Sequence, residues 1–148
     1  MSSNNRRPPN KTQTYSKASG SYGALAKKHA DKRDVEAQVL LKAARKLQDL
    51  QTGWEKRSPS AVEETLKYNR QIWVLFYDNA TNQTSIETNS LRANIISLAG
   101  FVFKRSMDIL AEPDREKLSI LININREIAA GLMTKPAAEQ TPPQTSAT

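Results

Sequence analysis

Residues 91–110, LRANIISLAGFVFKRSMDIL, decide how this chain folds. At about 100° per residue, Leu91, Ile95, Leu98, Val102 and Ile109 form one apolar stripe. Ile96, Ala99, Phe103, Met107 and Leu110 form a second, about 120° round the same helix. A helix apolar over more than half its circumference is expected to be buried against several neighbours. Residues 86–111 therefore read as the central helix of a bundle. Gly100 in its interior costs about 1 kcal/mol relative to Ala, which suits a position where a neighbour comes close.

Three more helices are predicted around it. Val35, Val39, Ala43, Leu47 and Leu50 recur at helical spacing over 34–52, where Gly53 supplies a stop and Trp54 folds back on the last turn. Ser58-Pro59-Ser60 opens the next helix, with Ser60 and Glu63 in capping-box spacing. Its apolar face is Val62, Leu66, Ile72, Trp73, Phe76 and Tyr77, and the polar run Asp78-Asn79-Ala80-Thr81-Asn82 ends it. Pro113 halts the third helix and Asp114 caps the fourth, so the two run antiparallel across a short loop. The fourth shows Leu118, Leu121, Ile122, Ile128, Ala129 and Leu132, with Gly131 and Pro136 as stop signals. With no alternating strand pattern, the predicted fold is all-α, a small antiparallel bundle of about four helices.

The charge is unevenly placed. The 148 residues carry 22 basic and 15 acidic side chains, a net charge of +7. Residues 1–33 hold eight of the bases and one of the acids, so the remainder has fourteen of each and is neutral. Rich in Ser, Asn, Gly and Pro, the N-terminal stretch has too little apolar surface to offset the entropy of ordering. Residues 1–21 are expected to be a disordered basic arm, 22–133 a helical domain and 134–148 a disordered Pro-rich tail. Tyr22, Ala24, Leu25 and Ala26 suggest a short helical turn ahead of the main bundle. Lys and Arg in such an arm bind phosphate without reading sequence, but eight dispersed charges with two aromatics among them, Tyr15 and Tyr22, also describe a solvated terminus.

Composition excludes several chemistries. The chain has no Cys and one His, His29, which removes disulfides, thiolate nucleophiles, Cys-ligated zinc and two-histidine metal sites. No Gly-rich phosphate loop or nucleophile elbow occurs. Glu63 and Glu64 are adjacent and do not share a helix face, and Glu112, Asp114 and Glu116 read as a solvated capping cluster. The expectation is a protein that is not an enzyme and takes no cofactor and no small-molecule substrate. Apolar runs such as 95–103 fall short of the ~20 residues that span a bilayer, and no secretory signal is visible, so a soluble cytoplasmic location is expected.

Polar residues interrupt three apolar faces: Asn69 between Leu66 and Trp73, Asn94 between Leu91 and Leu98, and Asn125 between Leu121 and Ile128. A buried carboxamide without partners costs about 1–3 kcal/mol. Each is either satisfied locally, or two of them meet and fix helix register, or they line a partner's groove. Tyr68, Val74 and Leu75 fall off the core face of the second helix and Leu41 off the first, either as scattered surface residues or as a patch for an amphipathic helix.

Four blocks of the sequence resemble the flagellar biosynthesis regulator FlaF family. They are Val35-Glu36-Ala37 through Ala43-Ala44, Leu66-Lys67-Tyr68-Asn69-Arg70-Gln71-Ile72-Trp73, Leu91-Arg92-Ala93-Asn94-Ile95 through Phe101-Val102-Phe103-Lys104-Arg105, and Leu121 through Leu132. In order, they cover about 22–132, and the basic arm before Tyr22 departs from the family pattern. The resemblance implies a small helical protein of bacterial flagellum biogenesis that binds flagellin in the cytoplasm and promotes its synthesis and export in a chaperone-like way. It also implies action opposite FlbT, a regulator that restrains flagellin translation. On this reading Tyr68, Asn69, Trp73, Phe101 and Arg105 are the candidate partner-binding residues, with Arg105 needing a partner for its charge beside Phe101. The alternative is an RNA-binding regulator acting on flagellin messenger RNA through the basic arm.

Overall fold

A computed structural model describes residues 11–82 and 89–134, with side chains from residue 20 onward. Its helices are α1 (Lys11–Thr52), α2 (Ala61–Thr81), α3 (Asn89–Ala111) and α4 (Leu118–Met133), with 3-10 turns at Trp54–Lys56 and Arg115–Lys117. No strand occurs among the described residues, and the all-α prediction holds. The expected disorder of residues 1–10 and of the tail beyond 134, the start of the third helix at Ile86 and the stop at Pro136 fall outside the described residues.

The chain divides into two units, Met1–Lys32 and Arg33–Thr148. In the first, the backbone is helical from Lys11. The single turn expected near Tyr22 is part of this one continuous helix. Pro9 is the last proline before Pro59, and a helix once nucleated extends by one hydrogen bond per residue ordered. The premise of the expectation survives: from Gly20 to Lys32 every residue is exposed except a half-buried His29.

In the second unit, three links set the helix directions. Gln51 near the end of α1 donates to the Arg115 carbonyl (3.1 Å) and to Ser119 Oγ (2.8 Å) at the start of α4. Arg92 near the start of α3 donates to the Ala80 carbonyl at the end of α2 (3.0 Å). Lys117, just before α4, sits 3.4 Å from Asp108 late in α3. The helices therefore alternate in direction.

The core runs from Ala37, Leu40 and Leu47 of α1 through Leu66 and Trp73 of α2 to Leu121 and Ile128 of α4. Eight of the 16 residues of α4 are buried, against five of 23 in α3. The expectation that the third helix is central is therefore overturned. In α3 one line is buried, Ile95, Ala99, Val102, Ser106 and Ile109, while Ile96 and Met107 of the second stripe are exposed. Apolar circumference says how much of a helix can be buried, and the placement of its neighbours limits how much is. Gly100 likewise faces open space, with nothing within 4 Å of the point where a methyl group would stand, so no close approach explains it.

The helix ends divide between expectation and correction. Asp114 is extended (φ −144°, ψ 125°) and its carboxylate accepts from the Glu116 N–H at 3.0 Å, capping the turn that leads into α4. Ser60 sits instead in the right-handed region (φ −94°, ψ −3°) and makes no side-chain cap, so the capping box does not form. An N-cap hydroxyl reaches the first-turn N–H groups from extended backbone, which the turn at Pro59 denies it. Backbone carbonyls replace it: Ser58 accepts from Ala61 and Ser60 from Glu64. Trp54 is buried behind the α1 stop as expected, with the Arg57 guanidinium 4.0 Å over its ring.

Candidate functional site

The five candidate binding residues separate into a core group and two surface positions. Asn69 and Trp73 are 0% exposed. Trp73 Nε1 donates to Asn125 Oδ1 at 2.8 Å, and Asn125 Nδ2 donates to Asn69 Oδ1 at 2.7 Å. An indole N–H only donates, so it fixes which way the Asn125 amide faces, and Asn125 in turn orients Asn69. The chain of bonds ends at Asn69 Nδ2, which is buried and has no hydrogen-bond partner. Two of the three interrupting asparagines therefore meet, which is one of the arrangements the sequence allowed; Asn94 is exposed and joins neither. In the folded bundle Asn69 and Trp73 face α4 and offer no surface to a partner.

Tyr68 is half-buried on the α1 side of α2, with Lys46 Nζ 4.9 Å over its ring. It lines a shallow groove of about 370 Å³ with Lys46, Asp49, Leu50 and Glu64. Phe101 is 38% exposed on α3. Arg105 finds the partners its charge requires in the Phe101 ring, at 5.4 Å, and in Asp108, at 3.9 Å. Tyr68 and the Phe101–Arg105 pair lie on different helices, α2 and α3.

Further exposed apolar side chains lie on α2 and α3. By helical phase, Ile96, Phe103 and Met107 fall within about 40° on one shoulder of α3. That shoulder continues from Arg92, which reaches the end of α2, and Leu110, which shares a groove with Val62 and Glu63 at its start. It therefore faces α2. The matching shoulder of α2 carries Val74 and Tyr77, in phase with Glu63 and Arg70. Val74, Tyr77, Ile96 and Met107 are all exposed, Met107 at 61%, and Phe103 is half-buried against the core. The sequence signal was present in the second stripe of 91–110, which was assigned to the core because apolar periodicity does not distinguish a covered face from a bare one.

Glu112, Asp114 and Glu116 are all exposed at the α3–α4 junction. Lys117 Nζ lies 3.4 Å from Asp108 and 3.9 Å from Glu112, and donates to the Glu112 carbonyl at 2.9 Å. Among the described residues, no group of three or more His, Cys, Asp or Glu is placed to hold a metal ion. No described helix is long and apolar enough to cross a membrane.

The family model of the flagellar protein FlaF matches residues 18–132. No curated protein and no solved structure matches the chain. The match takes in all four sequence blocks, the Asn69–Asn125–Trp73 core and the α2–α3 surface. The chain belongs to the FlaF family of flagellar proteins.

Proposed function

We propose that this chain is a non-enzymatic regulator of flagellum biogenesis that binds flagellin in the cytoplasm and, in a chaperone-like way, promotes its synthesis and export. Family membership supports the flagellar setting. The observation that carries the binding role is the bare apolar surface of Val74, Tyr77, Ile96 and Met107 along α2 and α3. Two antiparallel helices with an uncovered apolar seam suit an amphipathic helical segment of flagellin, whose apolar face would be buried there. Tyr68, on the α1 side of α2, and Phe101 and Arg105, on the opposite side of α3 from Ile96, would be separate contacts for the same client.

Calorimetric titration of the full chain with purified monomeric flagellin tests this reading. Binding by the native chain that is lost in the Ile96→Asp/Met107→Asp variant supports it. Absence of binding by the native chain removes it. A second reading, RNA binding through the N-terminal residues, is favoured by the concentration of the net charge in residues 1–33 and predicts affinity that falls steeply with salt.

A further inference from the structure

We infer that the client helix crosses α3 at Gly100 and carries carboxylates at the end that lies over Met107. The inference rests on the flagellin reading above and deepens it, giving the chemistry and the direction of the bound segment. Ala93, Ile96, Gly100, Phe103 and Met107 follow one another at alternating spacings of three and four residues. That is the spacing of a seam along which a second helix packs at a shallow angle. By phase, the last four lie within about 60° of one another. Gly100 stands midway along the seam, exposed, with nothing within 4 Å of the point where a methyl group would stand. Glycine weakens a helix interior, and no neighbour inside the bundle needs the space. It leaves a gap between Ile96 and Phe103, where a helix laid along the seam comes closest to α3.

The second wall of the surface selects the occupant. Arg92 meets Ala80 and Leu110 shares a groove with Glu63, so Arg70 and Val74 come level with Gly100 and Phe103. Lys67 comes level with Lys104 and Met107. Lys67, Arg70, Val74 and Tyr77 repeat the spacing of the α3 seam. The Ile96 half of the surface therefore borders Val74 and Tyr77. The Met107 half is rimmed by Lys67 and the half-buried Arg70 on α2 and by Lys104 on the outer flank of α3. Arg105 and Lys117 each have Asp108 nearby, whereas among the described residues these three cations make no ion pair. Unpaired cations flanking an apolar seam complement carboxylates at the flanking positions of an incoming helix, the arrangement that sets orientation in coiled coils. A helix apolar along its length and acidic at one end fits in one direction only.

The test titrates the full chain with monomeric flagellin at low and moderate salt, with poly(U) RNA as a separate probe and sedimentation of the chain alone. Gly100→Leu is expected to weaken flagellin binding at least tenfold. Its unfolding midpoint should be no lower than the native one, because the new side chain enters open space and a helix-interior glycine is removed. Lys67→Glu/Lys104→Glu is expected to weaken binding at low salt and to flatten its salt dependence. Both lysines are exposed, so circular dichroism should be unchanged. If Ile96→Asp/Met107→Asp abolishes binding while Gly100→Leu and the lysine variant bind as the native chain does, the surface stands and this inference is wrong. If the chain alone sediments as a dimer that Gly100→Leu splits, the seam belongs to a second copy and the inference is overturned. Loss of poly(U) binding with flagellin binding intact in the lysine variant overturns it as well. If the native chain does not bind flagellin, both readings fall together.

Discussion

Asn125 Nδ2 donates to Asn69 Oδ1 across 2.7 Å with both residues wholly buried, so a single amide pair ties α4 to α2 at mid-bundle. Because Trp73 dictates the orientation of Asn125, the bond forms in one register only. A slip of one helical turn, about 5.4 Å, would strand all three polar groups in an apolar core.

The two asparagines should therefore differ in mutational cost. Asn125→Leu leaves both the Trp73 N–H and the Asn69 carbonyl without partners and is expected to cost about 2–4 kcal/mol. Asn69→Leu removes its own unpartnered amide together with the acceptor, leaving one orphan donor group on Asn125, and should cost less. Urea unfolding followed by tryptophan fluorescence gives the order; the reverse order would contradict the bonding scheme.

Gly100 is a spare glycine. It lies inside α3 with open space where a methyl group would go, so Gly100→Ala is expected to raise stability by about 0.5–1 kcal/mol. A shift to higher urea midpoint with unchanged slope is the readout.

Arg92 closes the end of α2, donating to the Ala80 carbonyl at 3.0 Å and reaching the Asn82 carbonyl at 3.5 Å. Cations suit the last carbonyls of a helix. Arg92→Ala should cost about 1 kcal/mol, and amide hydrogen exchange should quicken first near Ala80.

Met107→Asp separates surface from core. At 61% exposure the side chain contributes little to folding, so stability should stay within about 0.5 kcal/mol. Flagellin affinity should fall at least tenfold if the α2–α3 surface is the docking face. An unfolding midpoint and a titration on one preparation decide between a binding defect and a folding defect.

Helical class, four helices, the stop at Gly53, the Asp114 cap and the family were all legible in the chain. Each depends on local periodicity, on the backbone chemistry of a few residues, or on an ordered set of blocks. The Ser60 cap was not, because Pro59 changed the backbone state on which capping depends.

The candidate surface shows the same division. Periodicity alone established that α3 carries two apolar arcs and that an asparagine interrupts an apolar face in α2, α3 and α4 alike. It took the packing of four helices to leave Ile96 and Met107 bare while covering Ile95 and Val102, and to set Asn69 against Asn125 rather than Asn94. A one-dimensional pattern records which faces are apolar; which of them another helix covers depends on residues some 50 positions apart, brought together only when the bundle closes.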